Sequence, residues 1–386
     1  MRLIFSFLAA AAIALPALSV ANAQQTQPAC SSIYTRPEIL SMSASQWTLT
    51  KSVLSAMHRD GWFAWFAQIH DSWFGKIHSS SQFFPFHRRF IYDWERVARG
   101  YNGAYVQPYW DETRDYRTPA LSQVLTSSWV GGNGQGSNFC VQDGNQAGWN
   151  MTYPSDHCFS RNFTNNGNLA PWYSPEYLQS IIERGDSMTT FRFHVELTLH
   201  GVVHFNMGGD LFQNYSPNDW IFMLHHANID RLWWQWQMNN HMWTIEDRNF
   251  DNTTTTLSTN IAYYNEPIST VMQLGYGSMC HQYASDPIRP QAHNSTLQNT
   301  LINSLPNDVL STWFPITAKL PAAAAAPNIT PDIAASRPGK PIPYPTQFPQ
   351  DWVKTRSRDP TTVNSIEKDA RDFVTAMNNA GYKSPG

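Results

Sequence analysis

Two stretches decide the fold, FRFHVELTLHGVVHF (residues 191–205) and DWIFMLHHANIDRLWWQWQM (residues 219–238), and both are predicted to be helices. His200 and His204 are four residues apart, so on a helix both imidazoles leave the same face, one turn apart. That geometry suits chelation of one metal ion, although the pair alone fits a chance repeat of two core histidines equally well. The residues between the two histidines include no glutamate, which excludes the HExxH pattern of zinc proteases.

Further histidines lie on both sides of this pair. His225 and His226 are adjacent, so on a helix they point about 100° apart and only one of them can face a shared metal ion. Upstream, His70, His78 and His87 have spacings that fit one helix, a following loop and the start of the next helix. The two clusters together predict two sites of imidazole donors without thiolates, a set that suits copper, zinc or iron.

The remaining pattern is mainly helical. Residues 43–57 predict a helix with Ser43 or Ser45 as its N-cap, and the aromatic run WFAWFAQIHDSWFGKIH at residues 62–78 continues the helical pattern after a glycine. Residues 90–100, FIYDWERVARG, predict another helix. Residues 131–170 are rich in glycine and asparagine and are predicted to form a loop.

The charge and the apolar pattern of the sequence argue against two classes of partner, nucleic acids and membranes. The formal net charge is −3 and the isoelectric point is near 6.5, so no surplus of basic residues is available to neutralise phosphates, and nucleic acid is not expected as a partner. After the N-terminal region no stretch is long and apolar enough to span a bilayer, so no membrane association is expected. The length of 386 residues allows one large domain with a substantial core.

The N-terminus predicts a secreted protein. Arg2 precedes an apolar run, and Ala21-Asn22-Ala23 forms a small-x-small cleavage site, so residues 1–23 are predicted to be a signal peptide. An uncleaved membrane anchor is the alternative. Six N-x-S/T motifs would be glycosylation sites in a secreted protein if they are exposed. They are Asn150, Asn162, Asn214, Asn252, Asn294 and Asn328.

The four cysteines predict disulfides, because an even count in an oxidising compartment favours pairing. Three connectivities are possible. We expect Cys140 to pair with Cys158, since these two bracket a loop rich in glycine and asparagine, which leaves Cys30 for Cys280.

The C-terminal part differs in composition from the rest. Residues 24–316 are expected to form the main domain, residues 317–350 a Pro/Ala-rich extended segment, and residues 351–386 an amphipathic tail. This tail either docks on the main domain or is removed in processing.

Two motifs resemble a known family. FFPFHRRFIYDWERV at residues 83–97 and SPNDWIFMLHHANIDRLW at residues 216–233 resemble the copper-A and copper-B motifs of tyrosinases, catechol oxidases and hemocyanins. The layout is similar to that of short fungal polyphenol oxidases, and the resemblance covers roughly residues 34–240. It implies a mainly α fold, a four-helix bundle that holds a dinuclear copper site, with long loops and little β structure.

The resemblance also implies the ligands, because the second histidine of the HH pair is the ligand in this family. Copper A would be held by His70, His78 and His87, and copper B by His200, His204 and His226. No metal is assigned to the remaining histidines, which are expected to be solvated or part of the core: His58, His157, His194, His241, His281 and His293.

Other positions match residues around the family's copper site. Phe222 resembles an aromatic residue that packs against the copper-A imidazoles. Asn228 and Asp230 are expected to orient a ligand or the helix end. Candidates for the wall of the substrate pocket are Phe205, Phe212 and Gln213.

One match and one departure bear on catalysis. Glu196 matches the acidic residue that holds a water near copper B in this family, and it is the candidate base. The asparagine that usually follows the first copper-B histidine is replaced by Gly201, so the water would lose one hydrogen-bond acceptor. This replacement favours diphenol oxidation over monophenol hydroxylation, and restoring asparagine at this position is expected to raise hydroxylation.

The resemblance therefore implies a secreted dicopper polyphenol oxidase. Its partners would be small phenols and O₂, and it would convert o-diphenols to o-quinones with reduction of O₂ to water, with at most weak monophenol hydroxylation. The alternatives are a tyrosinase with full monophenolase activity, an o-aminophenol oxidase, a hemocyanin-like oxygen carrier and a metal-loaded structural glycoprotein. The carrier is disfavoured because the chain after residue 317, about 70 residues, is too short for a shielding domain.

Overall fold

The computed structural model describes residues 27–286, 301–319, 339–355 and 358–385. The predicted signal peptide and the sequons at Asn294 and Asn328 lie outside the described residues.

The described elements are mainly helices with two small pairs of strands. The helices are α1 (Ala44–Arg59), α2 (Trp62–Ile77), α3 (Phe83–Tyr101), α4 (Pro175–Arg184), α5 (Met188–Val195), α6 (Gly201–Met207), α7 (Gly209–Phe212), α8 (Ile221–Trp236), α9 (Asn307–Trp313), α10 (Gln350–Thr355) and α11 (Pro360–Asn379). The strands are β1 (Tyr34–Arg36), β2 (Asn150–Met151), β3 (His157–Cys158) and β4 (His281–Tyr283). The long loop predicted for residues 131–170 contains only β2 and β3 within its bounds.

Helices α2, α3, α6 and α8 form the bundle that carries the histidine clusters. Aromatic rings join its helices at the centre. The ring of Phe90 on α3 lies 5.1 Å from that of Phe66 on α2 and 5.8 Å from that of Phe222 on α8. All three side chains are fully buried, so their apolar area stabilises the bundle. The predicted mainly α bundle with little β structure is confirmed.

The start of α1 follows the sequence prediction. The Ser43 side chain accepts a hydrogen bond from the backbone N–H of Gln46, and the Gln46 side chain accepts one from the N–H of Ser43. This capping box satisfies two backbone donors that the helix itself leaves free. Gly61, at φ 83°, then separates α1 from α2 in a left-handed conformation that glycine adopts without strain.

The predicted helix over residues 191–205 is continuous but not regular. A π-helical turn spans Glu196–His200 and joins α5 to α6. Such a turn inserts an extra residue into the helical repeat, so it shifts the direction in which the following side chains point. Glu196 and His200 are therefore the first and last residues of the turn in which the direction of the side chains around the helix axis shifts.

Both predicted disulfides are present, Cys30–Cys280 and Cys140–Cys158. The first ties the N-terminal end to the residue before β4, close to the parallel pairing of β1 with β4. The second holds the antiparallel β2–β3 pair, in which Asn150 is opposite Cys158.

The C-terminal segment, defined here as residues 339–355 and 358–385, packs on the main domain. The buried face of α11 carries Val363, Ile366, Ala370, Phe373, Val374 and Met377. The Phe373 ring contacts Tyr177 of α4 at 5.4 Å and Trp313 of α9 at 5.3 Å. The tail therefore packs on the main domain in this structure, and its removal in processing stays a prediction.

Three of the sequons, at Asn150, Asn162 and Asn252, are exposed, and Asn214 is half-buried. Within the described ranges, no helix is both long and apolar enough to cross a bilayer.

Candidate metal centre

The first histidine cluster consists of His70, His78 and His87, whose ring nitrogens lie within 4.8 Å of one another. His70 is on α2, His78 follows the last residue of α2, and His87 is on α3. The predicted distribution over a helix, a loop and the next helix is confirmed. The Nε2 atoms of His70 and His87 are 3.4 Å apart. We call this cluster the first triad.

The second triad consists of His200, His204 and His226, with the same 4.8 Å limit between ligand atoms. His200 ends the π-helical turn and His204 lies one turn later on α6, as the spacing predicts. Helix α8 contributes His226, whose Nε2 is 3.4 Å from that of His204. Both clusters predicted from the sequence are therefore assembled.

Backbone carbonyls fix the orientation of most of these rings. The Nδ1 atoms of His70 and His204 lie 2.6 Å from the carbonyl oxygens of Asn214 and Leu211, which belong to one short segment between α6 and α8. His87 Nδ1 lies 2.6 Å from the carbonyl of Phe83. A carbonyl can only accept, so each Nδ1 carries the proton, and each Nε2 is the ring nitrogen that can ligate a metal ion.

His78 and His200 repeat this arrangement with the carbonyls of Phe74 and Glu196, each at 3.2 Å. The Nε2 of His200 is buried without a hydrogen-bond partner. A buried nitrogen in this state is costly unless a ligand occupies it. The Nε2 lone pairs of His70 and His87, and those of His204 and His226, would also repel each other at 3.4 Å unless a cation lies nearby, so the donor set fits a bound metal ion in each triad.

The two triads face each other directly. The rings of His87 and His226 stack with centroids 4.2 Å apart, and those of His78 and His200 are 5.6 Å apart. Two ions held by these triads would therefore be close neighbours. Six imidazoles without a thiolate suit copper, zinc or iron.

Burial keeps four of the six histidine ligands neutral. It lowers the pKa of His87 to about 3 and, helped by the neighbouring imidazoles, lowers the pKa of His78, His200 and His226 well below the usual value of a histidine. Because the neutral imidazole is the form that ligates, these four side chains are ready to bind metal without first releasing a proton at neutral pH.

Phe222 packs between the two triads. Its ring lies 4.9 Å from that of His70 and 4.2 Å from that of His226. It thus contacts one ligand of each triad and restricts the rotation of both imidazoles.

His225 faces away from the metal centre. Its Nδ1 is 2.6 Å from Oε1 of Glu112, and the other carboxylate oxygen of Glu112 accepts a hydrogen bond from Asn228. Burial raises the pKa of Glu112 well above its usual value. The contact selects His226 as the ligand of the HH pair, and it gives Asn228 a role in fixing α8. Glu112, which binds both His225 and Asn228, was not among the site residues predicted from the sequence.

Asp230 anchors α8 to the rest of the bundle. Its carboxylate pairs with Arg88 of α3 and accepts a hydrogen bond from the Tyr283 hydroxyl at 2.5 Å. Arg36 joins the same network by donating a hydrogen bond to the Tyr283 hydroxyl at 2.9 Å, and it also pairs with Glu95 at 2.7 Å. The arginines hold the pKa of Asp230 well below its usual range despite burial. The network fixes the helix that carries His226.

A narrow cleft opens beside the triads. Its lining includes Phe212 and Gln213, two of the predicted wall residues, together with Glu196 and Gly201. Phe205 lies behind this lining, where its ring packs against Phe348 at 5.9 Å and Trp352 at 6.0 Å. The full lining is His70, Phe74, His78, Glu196, His200, Gly201, His204, Phe212, Gln213, Ser216, Trp352 and Arg358.

Glu196 is buried in this cleft between two arginines. Its Oε1 accepts hydrogen bonds from the N–H of Ser79 at 2.7 Å and from Nη1 of Arg358 at 3.0 Å. Its Oε2 accepts one from Nη1 of Arg192 at 3.1 Å. Arg358 was not predicted from the sequence, because it is 162 residues from Glu196 in the chain and belongs to a segment predicted only as an amphipathic tail.

A family profile and several known proteins match this chain. The profile described as the common central domain of tyrosinase matches residues 53–239, a range that includes both triads. The tyrosinase-like protein phomQ2 of Diaporthe leptostromiformis is 33% identical over 248 residues, which cover 56% of this chain and 62% of that protein. The tyrosinase ustQ of Aspergillus flavus is 31% identical over 245 residues, which cover 56% of this chain and 68% of that protein. The chain thus spans only about two thirds of the length of these relatives.

A solved structure has the same fold. A polyphenol oxidase variant from Thermothelomyces thermophila superposes with a TM-score of 0.57 at 19% sequence identity, covering 66% of this chain and 90% of that one. The bundle around the two triads is therefore an architecture already seen in a solved protein.

Proposed function

The chain belongs to the tyrosinase family of type-3 copper proteins, and from that premise we propose that it oxidises o-diphenols to o-quinones while reducing O₂ to water. The observation that carries the proposal is the pair of facing triads of imidazole donors beside a cleft. Two diphenols are oxidised for each O₂, so four electrons and four protons reach the two water molecules.

Members of this family bind two copper ions, and the six imidazoles have the donor chemistry to hold them. When bound, the copper pair supplies two one-electron centres side by side, which matches the two-electron oxidation of a diphenol. The protein supplies the fixed positions. Carbonyls orient the imidazoles, Phe222 restricts their rotation, and Asp230 holds the helix that carries His226.

Glu196 is the proposed base. Among the described residues that line the cleft it is the only carboxylate, and it pairs with Arg192 at 3.1 Å and with Arg358 at 3.0 Å. An ionised carboxylate at this place can accept the phenolic proton directly or through a water. Hydrogen bonds from Ser79 and both arginines hold its oxygens in place.

The absence of a side chain at Gly201 supports a preference for diphenols. An amide at this position would give a water on Glu196 a second acceptor, and glycine offers none. The space beside the Gly201 α-carbon is occupied by the ring of Phe348. A monophenol, which depends more on assisted proton removal, should therefore react more slowly than a catechol.

The test is oxygen uptake by copper-loaded protein with a panel of monophenols, catechols and o-aminophenols. We expect two copper ions per chain, rapid quinone formation from catechols and slow hydroxylation of monophenols. Equal rates with monophenols and catechols would point to a tyrosinase with full monophenolase activity. Reversible oxygen binding without quinone formation would point to a carrier and refute the proposal.

We also propose that the protein is secreted and glycosylated. Two disulfides suit an oxidising compartment, and Asn150, Asn162 and Asn252 are exposed in N-x-S/T motifs. Expression in a secreting host, followed by mass measurement before and after glycan removal, tests both statements. A chain that stays in the cell with its N-terminal residues intact would contradict them.

A further inference from the structure

The C-terminal segment forms part of the wall of the cleft. Its α11 helix is attached by buried apolar contacts and by two hydrogen bonds. Arg184 donates both of them to the Asp369 carboxylate, at 2.9 and 2.8 Å. The Glu367 carboxylate on α11 accepts a hydrogen bond from the backbone N–H of Phe348 at 2.7 Å. These contacts fix the residues that precede α10 relative to the bundle.

Trp352 is positioned by this attachment. Its ring stacks on Phe348 with centroids 4.1 Å apart and contacts Phe205 of α6 at 6.0 Å. Trp352 therefore lines the cleft and is held in place by these two ring contacts. A wall held in this way recognises a ligand at a low entropic cost.

Two donors of this wall have no partner. Nε1 of Trp352 and Nε of Arg358 are both buried without a hydrogen bond to any residue that the structure describes. The Arg358 side chain is only 9% exposed, and both residues line the cleft. Each atom can only donate, and a buried donor without an acceptor costs free energy, so the pair calls for a ligand that brings acceptor oxygens.

The positive charge of Arg358 favours an anion as the ligand of the cleft. Apart from the histidines, Arg358 and Glu196 are the two ionisable residues of the lining. Nη1 of Arg358 binds Glu196, which fixes the plane of the guanidinium. Glu196 also pairs with Arg192 at 3.1 Å, so its negative charge is shared between two cations and opposes an incoming anion less strongly.

We propose that Arg358 and Trp352 select phenols that carry a carboxylate, binding its two oxygens while the phenolic ring points towards the triads. The inference rests on the proposed function and specifies its substrate class as phenolic carboxylic acids. A guanidinium and an indole N–H together offer one charge-assisted and one neutral hydrogen bond to such a group. The C-terminal segment thus acts as a specificity element of the site.

The test compares two substrates of equal shape, 3-(3,4-dihydroxyphenyl)propanoate and its amide, with copper-loaded protein. The wild type is expected to prefer the acid. Arg358→Gln should lower the acid-to-amide ratio of kcat/KM roughly tenfold, mainly through KM, and Trp352→Phe should lower it less. The ratio cancels any effect of the substitution on Glu196, which acts on both substrates. Lys368→Gln removes an exposed positive charge from the same segment and should leave the ratio unchanged.

A second measurement is independent of turnover. Titration calorimetry of phenylacetate and of phenylacetamide should show tighter binding of the acid, and this difference should be lost in Arg358→Gln. A free acid and the C-terminus of a peptide offer the same carboxylate, so a short peptide ending in tyrosine, compared with its C-terminal amide, distinguishes the two sources.

The outcomes separate the two proposals. If the loaded enzyme oxidises catechol but the acid-to-amide ratio is the same in wild type and Arg358→Gln, the inference is overturned and the proposed function stands. If no phenol is oxidised, the proposed function fails and the calorimetric comparison alone decides the inference. Phenylacetate binding that is unaffected by Arg358→Gln would place the carboxylate elsewhere, for example on the metal, and would also overturn it.

Discussion

The ring of Phe348 lies against the α-carbon of Gly201, where an added Cβ would stand 2.8 Å from its Cζ atom. Gly201 follows the metal-binding His200, and Phe348 belongs to the C-terminal segment. A side chain at position 201 must therefore displace an aromatic ring that also stacks on Trp352. Positions 201 and 348 are therefore coupled. From the sequence alone, asparagine at position 201 is expected to raise monophenol hydroxylation, and the contact with Phe348 changes that expectation.

Gly201→Asn on its own should destabilise the protein without raising monophenol hydroxylation. The asparagine collides with the Phe348 ring, and overpacking of this kind costs about 1–3 kcal/mol. Adding Phe348→Leu should relieve the collision, so the double variant should be more stable than the sum of the single effects by roughly 1 kcal/mol. Thermal unfolding of the four proteins measures the coupling.

The same set of variants tests the acceptor argument for monophenols. The ratio of tyrosine hydroxylation to catechol oxidation should rise in the double variant and stay low in Phe348→Leu alone. If the ratio in Gly201→Asn alone rises as far as in the double variant, the Phe348 ring can move aside for the asparagine. A ratio that stays flat in the double variant would mean that an amide at this position does not assist proton removal.

Glu196→Gln should lower phenol turnover while both copper ions remain bound. The amide cannot accept a proton, and loss of a positioned general base typically costs a factor of about 10² or more. It should also destabilise the fold by roughly 3 kcal/mol, because Arg358 loses its buried counter-charge. Steady-state kinetics, copper analysis and thermal unfolding report the three effects.

Glu246→Gln is the matched control for this variant, since Glu246 is exposed. It should leave all three measurements unchanged. Normal phenol kinetics in Glu196→Gln would remove Glu196 from the mechanism, and loss of copper would show that its role is structural.

The metal ligands could be predicted from the sequence because two motifs resemble those of a known family and because the spacing of His200 and His204 reflects local helix geometry. His200 and His204 lie one turn apart on any helix, and His226 was selected over His225 by the resemblance to a known motif. The disulfide between Cys140 and Cys158 was likewise indicated by the short loop between them. Each of these predictions used residues that are close in sequence.

The wall of the cleft could not be predicted, because its contacts are distant in sequence and leave no periodic signal. Arg358 reaches Glu196 across 162 positions, and Phe348 covers Gly201 from a proline-rich stretch that was predicted only to be extended. The carbonyls of Leu211 and Asn214 are equally hidden, since any residue type can supply a carbonyl. Only the fold brings these groups to the imidazoles.

His226→Ala should lose one of the two copper ions, whereas His225→Ala should retain both. His226 faces His204 across the second triad, and His225 is turned towards the buried Glu112. His225→Ala should still lower the melting temperature, because it removes one of the two side-chain hydrogen-bond partners of the buried Glu112. Copper analysis combined with thermal unfolding distinguishes the two. Retention of two ions in His226→Ala would require a different assignment of the second triad.

Asp210→Asn should weaken copper retention although Asp210 touches neither triad. Its carboxylate holds the segment between α6 and α8, accepting hydrogen bonds from the N–H of Ser160 at 2.8 Å and from Asn218 at 3.0 Å. That segment carries the carbonyls of Leu211 and Asn214, which orient one imidazole of each triad. An amide can replace only one of the two carboxylate oxygens as an acceptor, so the segment should loosen.

Loss of such an indirect support typically weakens metal binding by about 10–100-fold. We therefore expect Asp210→Asn to release copper to a chelator at lower chelator concentration than the wild type. Because the segment orients one imidazole in each triad, both ions should be affected. Asp372→Asn, on the exposed face of α11, is the matched control and should behave like the wild type. Release of only one ion, or retention equal to the control, would show that the carbonyls are held in place without Asp210.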